Sequence, residues 1–166
     1  MTEYKNLVKD FIERTQDNIK IIDREKLKEN KESFEVTQLI NSLLGLLVLP
    51  HEKRKSISDK YLSDIKTKDL VPENGWPSIT IDIGKEKITN LKNLVFYLRN
   101  SVAHFGIDFI ADDHENICGV SFTNLCPECK ETVVFLCKMD MKDLRTFINK
   151  LSEVILDNIT KTGVHA

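Results

Sequence analysis

The chain has 166 residues, 41% of them hydrophobic and 30% charged, with a formal net charge of −2. That composition fits one folded domain with its own core and argues against a surface that coats nucleic acid broadly, which would be basic. A local positive patch is all that gripping one short nucleic-acid segment requires, so the charge balance leaves room for it.

The N-terminus, MTEYKNLVKDF, lacks the apolar centre of a secretion signal. The longest apolar run, Leu43 to Leu49, is too short to span a bilayer. A cytoplasmic protein with no membrane partner is expected, its four cysteines reduced.

Leu7, Val8, Phe11, Ile12, Thr15, Ile19 and Ile22 recur at helical spacing and predict an amphipathic helix over 3–28. The charged run Lys28 to Glu32 breaks it. A second helix is predicted over 34–49, where Phe34, Val36, Leu39, Ile40, Leu43, Leu44, Leu46 and Leu47 make it apolar over most of its circumference. Such a helix belongs in the centre of a bundle or at an oligomer interface. Gly45 lowers helix propensity by about 1 kcal/mol and leaves room for a neighbouring helix to approach. Pro50 is expected to end the helix. The run His51-Glu52-Lys53-Arg54-Lys55 follows. It reads first as a solvated turn, and second as a contact from Lys53, Arg54 and Lys55 to an RNA backbone.

Ser58 is placed to cap a short helix over 59–66 that offers Tyr61, Leu62 and Ile65. Residues 67–78 carry turn chemistry, and Trp76 within them is expected to plug a core edge rather than stack on a base. Ile79 to Ile83 alternates apolar and polar, a short strand.

Thr89 or Asn90 then opens a helix over 91–106. Leu91, Leu94, Val95, Leu98, Val102 and Phe105 fall in one core-facing stripe, and Gly106 is placed to stop the helix. Away from the stripe lie Asn93, Tyr97, Asn100 and His104, a polar second face.

After Gly106, Ile107 to Ile110 is a brief extended segment. Asn116 to Thr123 and Thr132 to Met139 predict a hairpin at about 116–139. Asp140 caps the last helix, whose stripe is Leu144, Phe147, Ile148, Leu151, Val154, Ile155 and Ile159. The order of elements predicts a mainly α fold: an up-and-down bundle of four to five helices with an appended β-hairpin and a third short strand. One domain is expected over 1–161, with a flexible tail at 162–166.

Cys118, Cys126, Cys129 and Cys137 all lie in the hairpin, and Cys126-Pro127-Glu128-Cys129 is a CxxC. In a regular hairpin Cys126 opposes Cys129 and Cys118 opposes Cys137, which separates the two pairs by roughly 26 Å of strand. One tetrahedral zinc cannot join them at a Zn–S distance of about 2.3 Å. Structural zinc on the four cysteines is therefore the less favoured reading, reduced thiols the more favoured one, and an oxidised Cys126–Cys129 pair a third. No metal and no cofactor is expected.

Arg99-Asn100-Ser101-Val102-Ala103-His104 joins a permanent cation, a neutral donor and acceptor, and an imidazole. Arginine's planar fork suits phosphate oxygens, and histidine exchanges protons near neutral pH. The plainer reading is that Arg99 and His104 solvate a helix end, where a cation gains roughly 0.3–1 kcal/mol from the dipole.

LRNSVAHFGI resembles the motif helix of the HEPN superfamily, with Arg99, Asn100 and His104 at the motif's three positions. The resemblance implies a helical bundle, usually dimeric, and metal-independent endoribonuclease activity with catalytic Arg99, Asn100 and His104. Asn93 and Tyr97 are candidates for substrate contact. It also implies an RNA substrate, a homodimer through the motif helix, a toxin or phage-defence setting, and an antitoxin as a candidate partner. Some members keep the bundle and lack the chemistry, so a silent module that binds RNA, a nucleotide or a protein is the alternative. Arg99 and His104 stand about 140° apart on a regular helix. A wrapped arginine, a distorted last turn, or two motif helices meeting across a two-fold axis would each bring them together, and the last is favoured. No Gly-rich phosphate loop, HExxH or GxSxG is present.

Overall fold

A computed structural model describes residues 7–29, 35–52 and 59–162. They form α1 (Leu7–Glu29), α2 (Glu35–Glu52), α3 (Asp59–Asp64), β1 (Thr80–Ile83), α4 (Leu91–Ala103), β2 (Ile107–Ala111), β3 (Ile117–Leu125), β4 (Val133–Asp140) and α5 (Met141–Thr162). Short turns of 3-10 helix occupy Thr67–Asp69, Pro72–Asn74 and Lys85–Lys87. The chain divides into two compact units, one of Met1–Ser58 with Ile148–Ala166 and one of Asp59–Phe147.

The first unit is helical. Val8, Ile12, Thr15 and Ile19 of α1 are buried, as are Leu39, Leu43, Leu46 and Leu47 of α2 and Ile148, Leu151, Ile155 and Ile159 of α5. These are the stripes their spacing predicts. A Cβ at Gly45 would collide with the Phe11 ring, so the glycine gives that ring of α1 its place against α2. The second helix ends at Glu52 rather than at Pro50. Proline's fixed φ is itself helical, and at a helix end only its own N–H bond is lost. Lys53, Arg54, Lys55 and Ser58 lie outside the described residues, as do most of the break after α1 and the tail beyond Thr162.

The second unit corrects the expected architecture. Instead of a bundle with an appended hairpin, it holds a four-stranded antiparallel sheet in the order β1-β4-β3-β2, so the fold is mixed α and β. A hairpin of β3 and β4 leaves two open edges, and the short extended segments fill both. Thr80 pairs with Lys138 on one side, and Ile107 pairs with Phe122 on the other. The alternation of Ile79 to Ile83 marks the first of these segments as a strand, the second reads only as extended, and each is stabilised by the ladder it joins.

The hairpin register also differs. Cys137 faces Phe122 and Val133 faces Leu125, four residues from the expected pairing of Cys137 with Cys118. The tip is not a two-residue turn but a loop over 126–132. It is closed by Cys126 N–H donating to the Thr132 carbonyl at 2.7 Å and Lys130 N–H donating to the Cys126 carbonyl at 2.8 Å. A slip of four keeps the same faces inward. Val120, Phe122, Phe135, Cys137 and Met139 are buried with Leu91, Leu94 and Leu98 of α4. Trp76 is buried and its ring centroid lies 6.0 Å from that of Phe147, the core-edge plug its position predicts.

Candidate active site

Asn90 opens α4, its side chain accepting the Asn93 N–H at 3.0 Å. Asn93 replies: its Oδ1 accepts the Thr89 hydroxyl at 2.8 Å and the Thr89 N–H at 3.3 Å. These bonds hold the helix start. The helix is then fixed to the sheet. The Tyr97 carbonyl accepts Nδ2 of the buried Asn124 at 2.8 Å and the Ser101 hydroxyl at 3.1 Å. The Tyr97 ring stacks on Phe135, centroids 5.0 Å apart. Asn93 and Tyr97 were candidates for substrate contact. In the fold Asn93 caps and Tyr97 packs.

The outward face of α4 is therefore not the predicted one. Directly opposite Leu91, Leu94 and Leu98 stand Phe96 and Ala103, both exposed, flanked by half-buried Arg99 and Asn100. Arg99 Nε is enclosed by protein. His104 is exposed and is the C-cap residue, its N–H donating to the Asn100 carbonyl at 3.0 Å. The helix stays regular through Ala103, so Arg99 and His104 leave it in different directions, as their spacing requires.

The helix stop corrects two expectations. Gly106 N–H donates to the Ser101 carbonyl at 2.7 Å and Phe105 N–H to the Val102 carbonyl at 3.2 Å, the bond pair of a left-handed helix cap. The residue in the left-handed position is Phe105, at φ 57°, not Gly106. Glycine is needed at 106 for space, because a Cβ there would collide with the Thr123 carbonyl of β3. Phe105 consequently leaves the core stripe and stands 95% exposed beside His104. A non-glycine residue in that conformation costs about 1–2 kcal/mol. Nothing in the residue pattern separates a glycine needed for φ from one needed for clearance, so this aromatic was not legible in advance.

A cleft of about 280 Å³ elsewhere in the same unit is lined by Thr80, Ile110, Cys118, Lys138 and Asp140 among others, and by none of the motif residues.

The cysteines separate. Cys118 is exposed near the Ile110 carbonyl, and Cys137 is buried. Burial, with the Asp82 charge adding to it, pushes the Cys137 thiol up to about 12. Cys126 and Cys129 share the hairpin tip. The Cys126 thiol donates to Glu128 Oε2 at 2.9 Å, which raises its pKa. Hydrogen bonds with Thr132 and the Glu131 backbone lower Cys129 to about 6. The CxxC showed the pair in the sequence, but not this difference between its members.

The family model described as HEPN pEK499 p136 matches residues 1–162, and the chain belongs to that family. Its membership associates it with nuclease or RNA-related function in general. Comparison with curated proteins and with solved structures finds no match. Among the described residues, no helix is long and apolar enough to cross a membrane.

Proposed function

We propose that the chain is a metal-independent endoribonuclease acting through Arg99, Asn100 and His104. The observation that carries this reading is the exposure of His104 at the end of a helix otherwise pinned to the sheet, one turn from Arg99 and Asn100. An imidazole held on rigid backbone with its ring in solvent is placed to exchange protons with a bound polymer.

In the proposed reaction His104 takes the proton of a ribose 2′-hydroxyl. The freed oxygen attacks the adjacent phosphorus, the bond to the 5′-oxygen breaks, and that oxygen leaves protonated. Arg99 stabilises the charge that gathers on the phosphoryl oxygens, and Asn100 positions His104 or the phosphate. The products are a 2′,3′-cyclic phosphate and a 5′-hydroxyl. DNA, lacking the nucleophile, resists.

Two copies meet through the motif helix. Exposed Phe96 and Ala103 opposite the core stripe supply an apolar, close-approach seam, and exposed Phe105 extends it. The seam brings His104 of one copy towards Arg99 of the other. The same reading places the protein in a toxin or phage-defence setting with an antitoxin as partner. A silent RNA- or protein-binding module is the second reading, favoured by the enclosure of Arg99 Nε, which suits a packed arginine.

The test is cleavage of single-stranded RNA in EDTA by the wild type, His104→Ala and Arg99→Ala. The proposal expects cyclic-phosphate products from the wild type and a loss of at least about a hundredfold in each variant. Retention of RNA without cleavage supports the silent module. Unchanged cleavage in both variants refutes the assignment.

A further inference from the structure

The hairpin tip carries chemistry that the nuclease reading does not use. Between β3 and β4 the backbone makes one turn from Cys126 to Lys130, closed by the Lys130 N–H to Cys126 carbonyl bond at 2.8 Å, with Pro127 at the second position. One helical turn sets residues three apart at roughly 5 Å between α-carbons, inside the range of about 4.4–6.8 Å that a disulfide spans. Both thiols are free. Cys129 is exposed and Cys126 half-buried, so an oxidant can reach one thiol with the other behind it.

The surroundings make the two thiols unequal. Lys130 is left-handed at φ 57° and ends the turn that carries both cysteines. The Cys129 thiol donates to the Thr132 hydroxyl oxygen at 3.4 Å, and the neighbouring Thr132 and Glu131 groups lower its pKa to about 6. The partner thiol instead faces the Glu128 carboxylate and keeps its proton. The tip thus sets an acidified thiol beside one whose pKa is raised.

We propose that this tip is a thiol modification site, in which Cys129 is oxidised by a hydroperoxide and Cys126 resolves the product to a disulfide within the turn. The Cys129 sulfur attacks the outer oxygen of the hydroperoxide. An S–O bond forms, the O–O bond breaks, and the alcohol, or water in the case of hydrogen peroxide, leaves with a proton. The Cys126 sulfur then attacks the sulfenic acid. The S–S bond forms, the S–O bond breaks, and water carries away the thiol proton. Two thiols lose two electrons and the hydroperoxide gains them. The low pKa of Cys129 suits it to the first step and the protonated Cys126 suits the second. This inference stands apart from the nuclease reading, since neither His104 nor Arg99 takes part.

The full chain, reduced and freed of small thiols, is treated with hydrogen peroxide at one equivalent and mapped by mass spectrometry without reduction. The expected result is loss of two hydrogens, a cross-link between Cys126 and Cys129, and reversal by dithiothreitol. Cys126→Ser is expected to stop at a Cys129 sulfenic acid that dimedone captures, and Cys129→Ser to give neither product. Alkylation of Cys129 is expected to be half-maximal near pH 6, where an ordinary thiol is still rising past pH 8, and Thr132→Val moves that midpoint upward. The proposal is overturned by disulfides that link two chains or engage Cys118. It is equally overturned by oxidation of the urea-unfolded chain as fast as the folded one, or by stoichiometric zinc on the two thiols of the purified chain.

Discussion

Arg99, Asn100 and His104 are proposed from residue type and spacing, which a sequence displays directly. Phe105 was not legible in that way, because its exposure follows from which residue takes the left-handed position of the helix cap. In this cap Phe105 takes that position, while Gly106 is held against the Thr123 carbonyl. A measurable consequence follows. Within one copy Phe105 is 95% exposed and has almost no burial to lose, so at dilutions where the chain is monomeric Phe105→Gly is expected to raise stability by up to about 1 kcal/mol, seen as a higher urea midpoint. A lower midpoint would show that the ring does structural work. Cys137 gives a pH dependence. Its thiol ionises near 9 when unfolded and is pushed up to about 12 by burial in the fold. The folded state binds the proton more tightly, so the contribution is full below about pH 9 and is lost as pH rises towards 12. The thermal midpoint of the wild type is expected to fall more steeply over that window than that of Cys137→Ala, which has no thiol to ionise.

Helices were read well because each buries a stripe that repeats at a fixed angle, and α1, α2 and α5 bury the residues that the spacing picks out. The sheet was read poorly for a different reason. Which strands pair, and in what register, depends on loop closure and on edges supplied from distant parts of the chain. The tip's hydrogen bonds set the β3–β4 register, and β1 and β2 exist as strands only because β4 and β3 offer them edges. Within the helical unit, Gly45 allows a sharp test. Alanine is the better helix former by about 1 kcal/mol. Because its Cβ would enter the Phe11 ring, Gly45→Ala is nevertheless expected to destabilise by about 1–3 kcal/mol in chemical denaturation. Stabilisation would mean that α1 and α2 are not in contact there.

The outward face of α4 gives the assembly its proposed form. Phe96, Ala103 and Phe105 are exposed on or beside the helix that bears the motif, and the α-carbons of Arg99 and His104 stand about 140° apart around it. Placing Glu at Ala103 would bury two like charges at a two-fold seam, so Ala103→Glu is expected to give monomers in light scattering and to lose cleavage in parallel. The decisive measurement mixes two inactive chains. Arg99→Ala and His104→Ala variants are unfolded together, refolded as a mixture, and assayed on single-stranded RNA in EDTA. If each site takes its arginine from one copy and its imidazole from the other, mixed dimers carry one intact site and the mixture regains roughly a quarter of wild-type activity. A mixture that dimerises yet stays as inactive as either variant alone, beside an active wild type, would contradict a site shared across the seam.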